Sequence, residues 1–130
     1  MISVIRISSQ SPWEVLVGYS RAVRVGERIL VSGTTGLTAE GEPALGLEAQ
    51  ARRAIEIISE ALTALGGSLD SVVRTRVYLT DITQWEIVGR VHAEAFSTAR
   101  PAATMVQVAA LIDPRLLVEI EVDAIADQGI

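Results

Sequence analysis

Apolar and polar positions alternate strictly near the end of the chain. Val118, Ile120, Val122 and Ala124 fall on one side of the pattern, and Glu119, Glu121 and Asp123 on the other. A period of two is the mark of a sheet strand with one apolar face, so 118–126 is read as a strand. Three carboxylates along one face cannot sit against a dry core, and that face must meet water, cations or another protein surface. A period of three to four governs Leu47 to Leu65. Leu47, Ala51, Ala54, Ile55, Ile58, Leu62 and Leu65 form one stripe, with Glu48, Arg52, Glu56, Ser59 and Glu60 on or near the other side. This predicts an amphipathic helix ended by Gly66 and Gly67, with Arg52 and Glu56 as a surface pair.

The same reading places strands at 3–7, 19–25, 28–33, 71–80 and 101–111. Gly26 and Glu27 form a hairpin turn between the second and third strands. Gly41, Pro43 and Gly46 break the 36–46 stretch into loop. Thr83 to Glu86 has the form of a capping box and opens a second helix, whose apolar stripe is Trp85, Val88, His92, Ala95 and Phe96. Trp85 and Phe96 are expected to anchor it in the core. The order is three strands, a helix, a strand, a helix and two strands. Two strand–helix–strand units with right-handed crossovers put both helices on one side of a single sheet. Val73, Val77 and Leu79 are expected to face the helices. Arg74, Arg76, Tyr78, Glu119, Glu121 and Asp123 are expected on the other face. The fold class is therefore α+β, two layers, with one sheet face left for water or a second subunit.

The chain has 130 residues, enough for one domain, read as 1–130. Its apolar share is 49%, high enough to suggest that surface is hidden in an oligomer. The net charge is −5, and all cationic side chains are Arg. Without a basic cluster the chain is a poor nucleic-acid binder. No cysteine is present and His92 is the lone histidine, so thiolate chemistry and His-rich metal sites are excluded. No apolar run approaches a membrane span, and the N-terminus is too short and too early charged for a signal peptide. A cytoplasmic, soluble protein is the expectation.

Four segments in order carry a resemblance: Val17 to Gly26, Ile29 to Gly33, Gly67 to Asp81, and Val106 to Leu111 with Val118 to Glu121. Together they resemble the RidA-like family, also called YjgF or L-PSP endoribonuclease. The resemblance implies a chorismate-mutase-like α+β fold, a six-stranded mixed sheet with two helices on one face, and a homotrimer with small-molecule clefts between subunits. It also implies hydrolysis of reactive imines and enamines, such as 2-aminoacrylate, to 2-oxo acids and ammonia without a cofactor. Carried over by position, Tyr19 and Glu119 take the catalytic places and Gly33 lines the pocket. The family's carboxylate-clamping Arg falls on Ala103, a common Cys on Met105, and a helix Asn on Gly89. A missing charged donor costs roughly 2–5 kcal/mol of binding in comparable sites, so 2-aminoacrylate is not the expected substrate.

Met105 and Gln107 share strand parity with Ala103 and are expected to line the same pocket. Arg100, or Arg21, could supply a relocated clamp; an ordinary surface or interface ion pair is the competing reading. Glu121 and Asp123 read equally well as partners of Arg74 and Arg76. A carboxylate crowded by like charges would titrate high and could act as acid or base. His92 reads as a core or interface histidine making one hydrogen bond. Trp13 either caps the cleft or simply packs. Two functions remain from the sequence: a hydrolase or deaminase acting on a small imine-type metabolite, and a non-catalytic ligand-binding trimer. A ribonuclease fits the acidic charge poorly.

Overall fold

The acidic strand sits in the middle of the sheet. In a computed structural model, which describes residues 2–9 and 11–126, six strands form one sheet. They are β1 (Val4–Ile7), β2 (Ala22–Val25), β3 (Arg28–Thr35), β4 (Val72–Leu79), β5 (Ala102–Gln107) and β6 (Val118–Ile125), ordered β1-β2-β3-β6-β4-β5. β4 and β5 run parallel; the other neighbours are antiparallel. Helices α1 (Leu47–Ala64) and α2 (Trp85–Ala95) connect β3 to β4 and β4 to β5. Both lie on one side, giving the two-layer α+β arrangement expected from the element order.

The alternation in β6 is reproduced residue by residue. Val118, Ile120, Val122 and Ala124 are buried beneath the helices, while Glu119, Glu121 and Asp123 point to the uncovered face. All seven stripe residues of α1 are buried, and Ile58 and Leu62 are fully so. Each such aliphatic side chain is worth about 1.5–3 kcal/mol of transfer free energy. The helix ends as its glycines require. Gly66 takes φ +84°, its N–H donates to Thr63 O at 3.2 Å, and Gly67 N–H donates to Leu62 O at 2.8 Å. This paired closure satisfies carbonyls that the helix itself leaves open. Arg24 Nη1 adds a bond to Leu65 O at 2.7 Å.

Several expectations need correction. Val73 is exposed and Val72 is buried, because a register shift between Val72 and Arg74 moves the parity of β4 by one residue. The proposed capping box at Thr83 does not form. Asp81 instead accepts from Thr83 N–H at 3.0 Å, opening a single 3₁₀ turn (Ile82–Gln84) ahead of α2. Trp85 is 53% exposed and is no core anchor, whereas Phe96 is buried. Arg52 pairs with Glu48 and with Glu94 across the helices; Glu56 takes Arg53 instead. The strand expected at 19–25 begins only at Ala22, preceded by a turn of π-helix at Glu14–Gly18. The strand expected at 101–111 is only Ala102–Gln107. Trp13 lies partly exposed just ahead of the π-turn.

Candidate functional site

The third strand carries an irregularity where the candidate residues gather. Its register against β6 shifts between Val31 and Thr34, so Ser32 and Gly33 bulge. Bulges of this kind re-aim side chains and interrupt pairing. Beyond the shift, Thr34 pairs with Ile120 and Thr35 with Glu119. The Glu119 side chain lies across Gly33: a Cβ built there would stand 2.9 Å from the Glu119 carboxyl carbon and from its Oε2. Gly33 is thus the residue that gives Glu119 its place. Ser32 Oγ donates to Ser20 O at 2.6 Å, which ties the segment carrying Tyr19 to the bulge. Tyr19 is half-buried in extended backbone at the end of the π-turn.

The electrostatics of the bare face separate its three acids. Arg76 lies 3.8 Å from Glu121 and 3.7 Å from Asp123, and Tyr78 Oη donates a short hydrogen bond to Glu121. The phenol is held above its ordinary range by that bond first, then by burial. Arg74, expected to share this role, forms no ion pair among the described residues. Glu119 likewise enters none. Its carboxyl is pushed above the ordinary glutamate range, chiefly by burial and then by the charge of Glu121; the Arg21 guanidinium pulls weakly the other way. A half-buried carboxyl held in this way retains its proton to higher pH and can donate it.

Arg21 stands beside the same bulge. Its Nη1 donates to Thr34 Oγ1 at 2.8 Å, and Thr34 Oγ1 donates onward to Ser32 O at 2.7 Å. Its Nε is shielded from solvent and has no hydrogen-bond partner among the described residues.

The remaining candidates lie elsewhere. In parallel register Ala103 pairs with Thr75, Met105 with Val77, and Gln107 with Leu79. Thr75, Val77 and Leu79 are buried beneath the helices, so Ala103, Met105 and Gln107 point to the helical side of the edge strand. Met105 packs on the core there, and Gln107 Oε1 accepts from Ile82 N–H at 3.0 Å. Gly89 sits half-buried in α2, with Trp85 as the nearest group to its missing side chain. Arg100 adopts φ +44° and lines a shallow cleft with His92, Ala93, Phe96, Ser97 and Pro101. His92 Nε2 lies 2.8 Å from Thr75 Oγ1, and burial lowers the affinity of the ring for a second proton. Gly33 and Glu119 therefore form one group at the bulge on the bare face, with Tyr19 on the segment tied to it through Ser20. Gly89, Arg100, Ala103, Met105 and Gln107 form another at the α2–β5 edge. No single copy brings the two groups to one point.

Two supporting residues escaped the sequence pattern. Gln50 is 1% exposed and joins three backbone groups in two loops. Its Nε2 donates to Ala44 O and Arg115 O, both at 3.1 Å, and its Oε1 accepts from Leu117 N–H at 2.8 Å. It fixes the loop that delivers Glu119. The available signal was a polar residue set against the buried stripe of α1. Thr34, fully buried under Arg21, gave none. Among the described residues no group of three His, Asp or Glu side chains is arranged to hold a metal ion, and no helix is long and apolar enough to cross a membrane.

A half-covered sheet with a bulge-positioned carboxyl on its bare side defines an α+β protein of a recognisable class. Residues 9–126 match the family model described as Endoribonuclease L-PSP. A solved structure of a YjgF/YER057c/UK114 family member from Mycobacterium tuberculosis is 50% identical, with a TM-score of 0.89 over 95% of this chain and 100% of that one. An uncharacterized protein of Streptomyces coelicolor is 40% identical over 127 residues, 94% of this chain and 92% of that protein. The 2-iminobutanoate/2-iminopropanoate deaminase of Mus musculus is 35% identical over 133 residues, 99% of this chain and 96% of that protein. The chain belongs to the RidA-like (YjgF, L-PSP endoribonuclease) family.

Proposed function

We propose that this protein is an imine or enamine deaminase, working as a homotrimer whose clefts bring the two separated residue groups together. Water adds to the imine carbon, the C=N bond becomes a carbinolamine, and ammonia leaves as the carbonyl forms. Glu119 passes a proton from the attacking water to the departing nitrogen, and Tyr19 orients the substrate. The observation that carries the reading is the Glu119 carboxyl: half-buried, outside every described ion pair, and seated against Gly33 on a sheet face that no helix covers. The mouse relative's name gives the reaction type. No metal or organic cofactor takes part.

The split of the site and the apolar residues left in the open support the trimer. Val106 on β5 is 41% exposed and Leu30 on β3 is 38% exposed. A neighbouring copy would cover such residues and set its α2–β5 edge beside this copy's Glu119. Ala103 offers no side-chain donor to a substrate, so 2-aminoacrylate is disfavoured relative to other imines. The same feature favours the second reading, a non-catalytic trimer that binds a small ligand.

Ammonia release from a panel of imines generated in situ separates the two. Acceleration over buffer that is lost in Glu119→Gln is the expected result. No acceleration for any imine, with a ligand still raising the melting temperature, would favour the binding module. A single-subunit mass by light scattering at working concentration would remove the shared cleft and both readings with it.

A further inference from the structure

The segment that delivers Tyr19 is built inside out. Of the five residues in the π-turn (Glu14–Gly18), the one that is buried is the acid. Glu14 is 6% exposed, while Val15, Leu16 and Val17 are 87%, 76% and 69% exposed. Within one copy, then, no apolar side chain of the turn anchors it to the body of the protein. The carboxylate does so instead. Ser9 N–H donates to Glu14 Oε2 at 2.8 Å, and the Ser9 hydroxyl donates to the same oxygen. Ser9 lies just past Ile7, the last residue of β1, whose carbonyl accepts from Arg21 N–H at 2.9 Å. The β1–β2 connection is therefore closed at its base by backbone and tied across its middle by one side chain.

The tie reaches Tyr19 directly. Glu14 gives its side chain to Ser9 and its main-chain carbonyl to Tyr19 N–H, at 3.1 Å. One residue thus fixes both ends of the link from β1 to the phenol. Gly18, at φ +88°, redirects the chain between them, and Tyr19 leaves in extended backbone. The other carboxylate oxygen, Oε1, is enclosed and has no donor among the described residues. Enclosing an acid with one bare oxygen is costly. An apolar side chain would fill the space at less cost, but it would leave the Ser9 N–H and hydroxyl without their acceptor and the turn untied. Single turns of π-helix are rare and recur at functional sites. We propose that Glu14 is the positioning residue for Tyr19, acting through the π-turn without touching the substrate. The assignment rests on the deaminase reading for what Tyr19 does, but the hold of Glu14 on Tyr19 is independent of turnover.

Amide hydrogen exchange and turnover test the two halves separately on the full-length protein. In Glu14→Ala the Tyr19 N–H is expected to exchange about tenfold or more faster than in wild type, with the amides of β4 and β6 unchanged. Turnover of the imine that the wild type hydrolyses fastest is expected to fall about tenfold or more, since ångström-scale displacement of a substrate-orienting group costs up to about 100-fold. In a Tyr19→Phe background the same Glu14→Ala change is expected to cost about twofold at most, because Glu14 acts through a phenol already removed. A merely structural role would lower turnover alike in both backgrounds. Unchanged Tyr19 exchange in Glu14→Ala overturns the assignment. So does faster exchange with wild-type turnover, or an equal loss of turnover in both backgrounds. Should Glu14→Ala not fold, Glu14→Asp, which keeps the charge and withdraws the oxygens from Ser9 by one methylene, is read in the same way on both measurements. If the wild type turns over no imine, the deaminase reading fails, and Tyr19 exchange alone then decides whether Glu14 holds Tyr19.

Discussion

Two glycines three residues apart, one in β3 and one just past its end, should respond to the same substitution in opposite ways. At Gly33 an added methyl meets the tip of a flexible side chain, with Glu119 Cδ and Oε2 at 2.9 Å and Cγ at 3.3 Å. Ordinary contact begins near 3.4 Å, so the carboxyl must retreat by about half an ångström. Rotation of the Glu119 side chain absorbs that, at an off-rotamer cost of roughly 0.5–1.5 kcal/mol. At Gly36 the methyl meets backbone of α1: Gln50 O at 2.3 Å, Cα at 2.5 Å and carbonyl C at 2.8 Å. The helix would have to back away by about 1 Å from a packed sheet, which costs about 3 kcal/mol or more. Gly33→Ala is therefore expected to unfold within about 1 kcal/mol of wild type while losing about tenfold or more in turnover, since ångström-scale displacement of a reacting group costs up to about 100-fold. Gly36→Ala is expected to shift the urea midpoint sharply downward. Urea unfolding and ammonia release on the same preparations check both halves. If Gly33→Ala is as destabilising as Gly36→Ala, or if its turnover matches wild type, Glu119 is not held by Gly33 in the way described.

Gln50→Leu removes three backbone partners from the interior and leaves two carbonyls and one N–H unpaired. At about 1–3 kcal/mol for each orphaned group, offset in part by relaxation and by water, a loss of about 3 kcal/mol is expected in urea unfolding; a neutral substitution would mean the 108–117 loop does not depend on it. Glu119→Gln should change the pH dependence of stability. The fold holds the Glu119 proton more tightly than the unfolded chain does, so the contribution is fully present below the ordinary glutamate range and is lost as pH rises through the raised folded value. Discounted for the solvent that reaches this side chain, the variant should gain about 0.5 kcal/mol, or about 2 °C in melting temperature, at pH 7.5 and nothing near pH 4. A gain of equal size at both values would point away from ionisation.

The strands and helices were legible wherever a period ran unbroken. The alternation of Val118 to Ala126 and the stripe of Leu47 to Leu65 both survive in the structure, because burial against a flat layer enforces the period on the sequence. Errors came where the backbone departs from its period. The bulge at Val72–Arg74 turned Val73 outward, and the one at Val31–Thr34 brought Gly33 under Glu119. At Thr83 two local capping patterns competed, and Asp81 took the N–H that the capping box would have used. The candidate acids were visible as a row, but their inequality was not. Spacing shows that Glu119, Glu121 and Asp123 share a face; it does not show that Arg76 reaches two of them and leaves the first without an ion pair.

The sequence by itself determined the layers, the apolar sides of the helices and strands, and the presence of an acidic sheet face. Those follow from periodicity, which is local and needs no knowledge of partners. Only the tertiary structure decided that Ala103, Met105 and Gln107 belong to the opposite side of the sheet from Glu119, that Gln50 holds the loop before it, and that Arg21 is tied to Thr34 beside the bulge. Such facts depend on register and on contacts between residues far apart in the chain. A one-residue shift at a bulge reverses which side a residue faces, and no spacing rule records it.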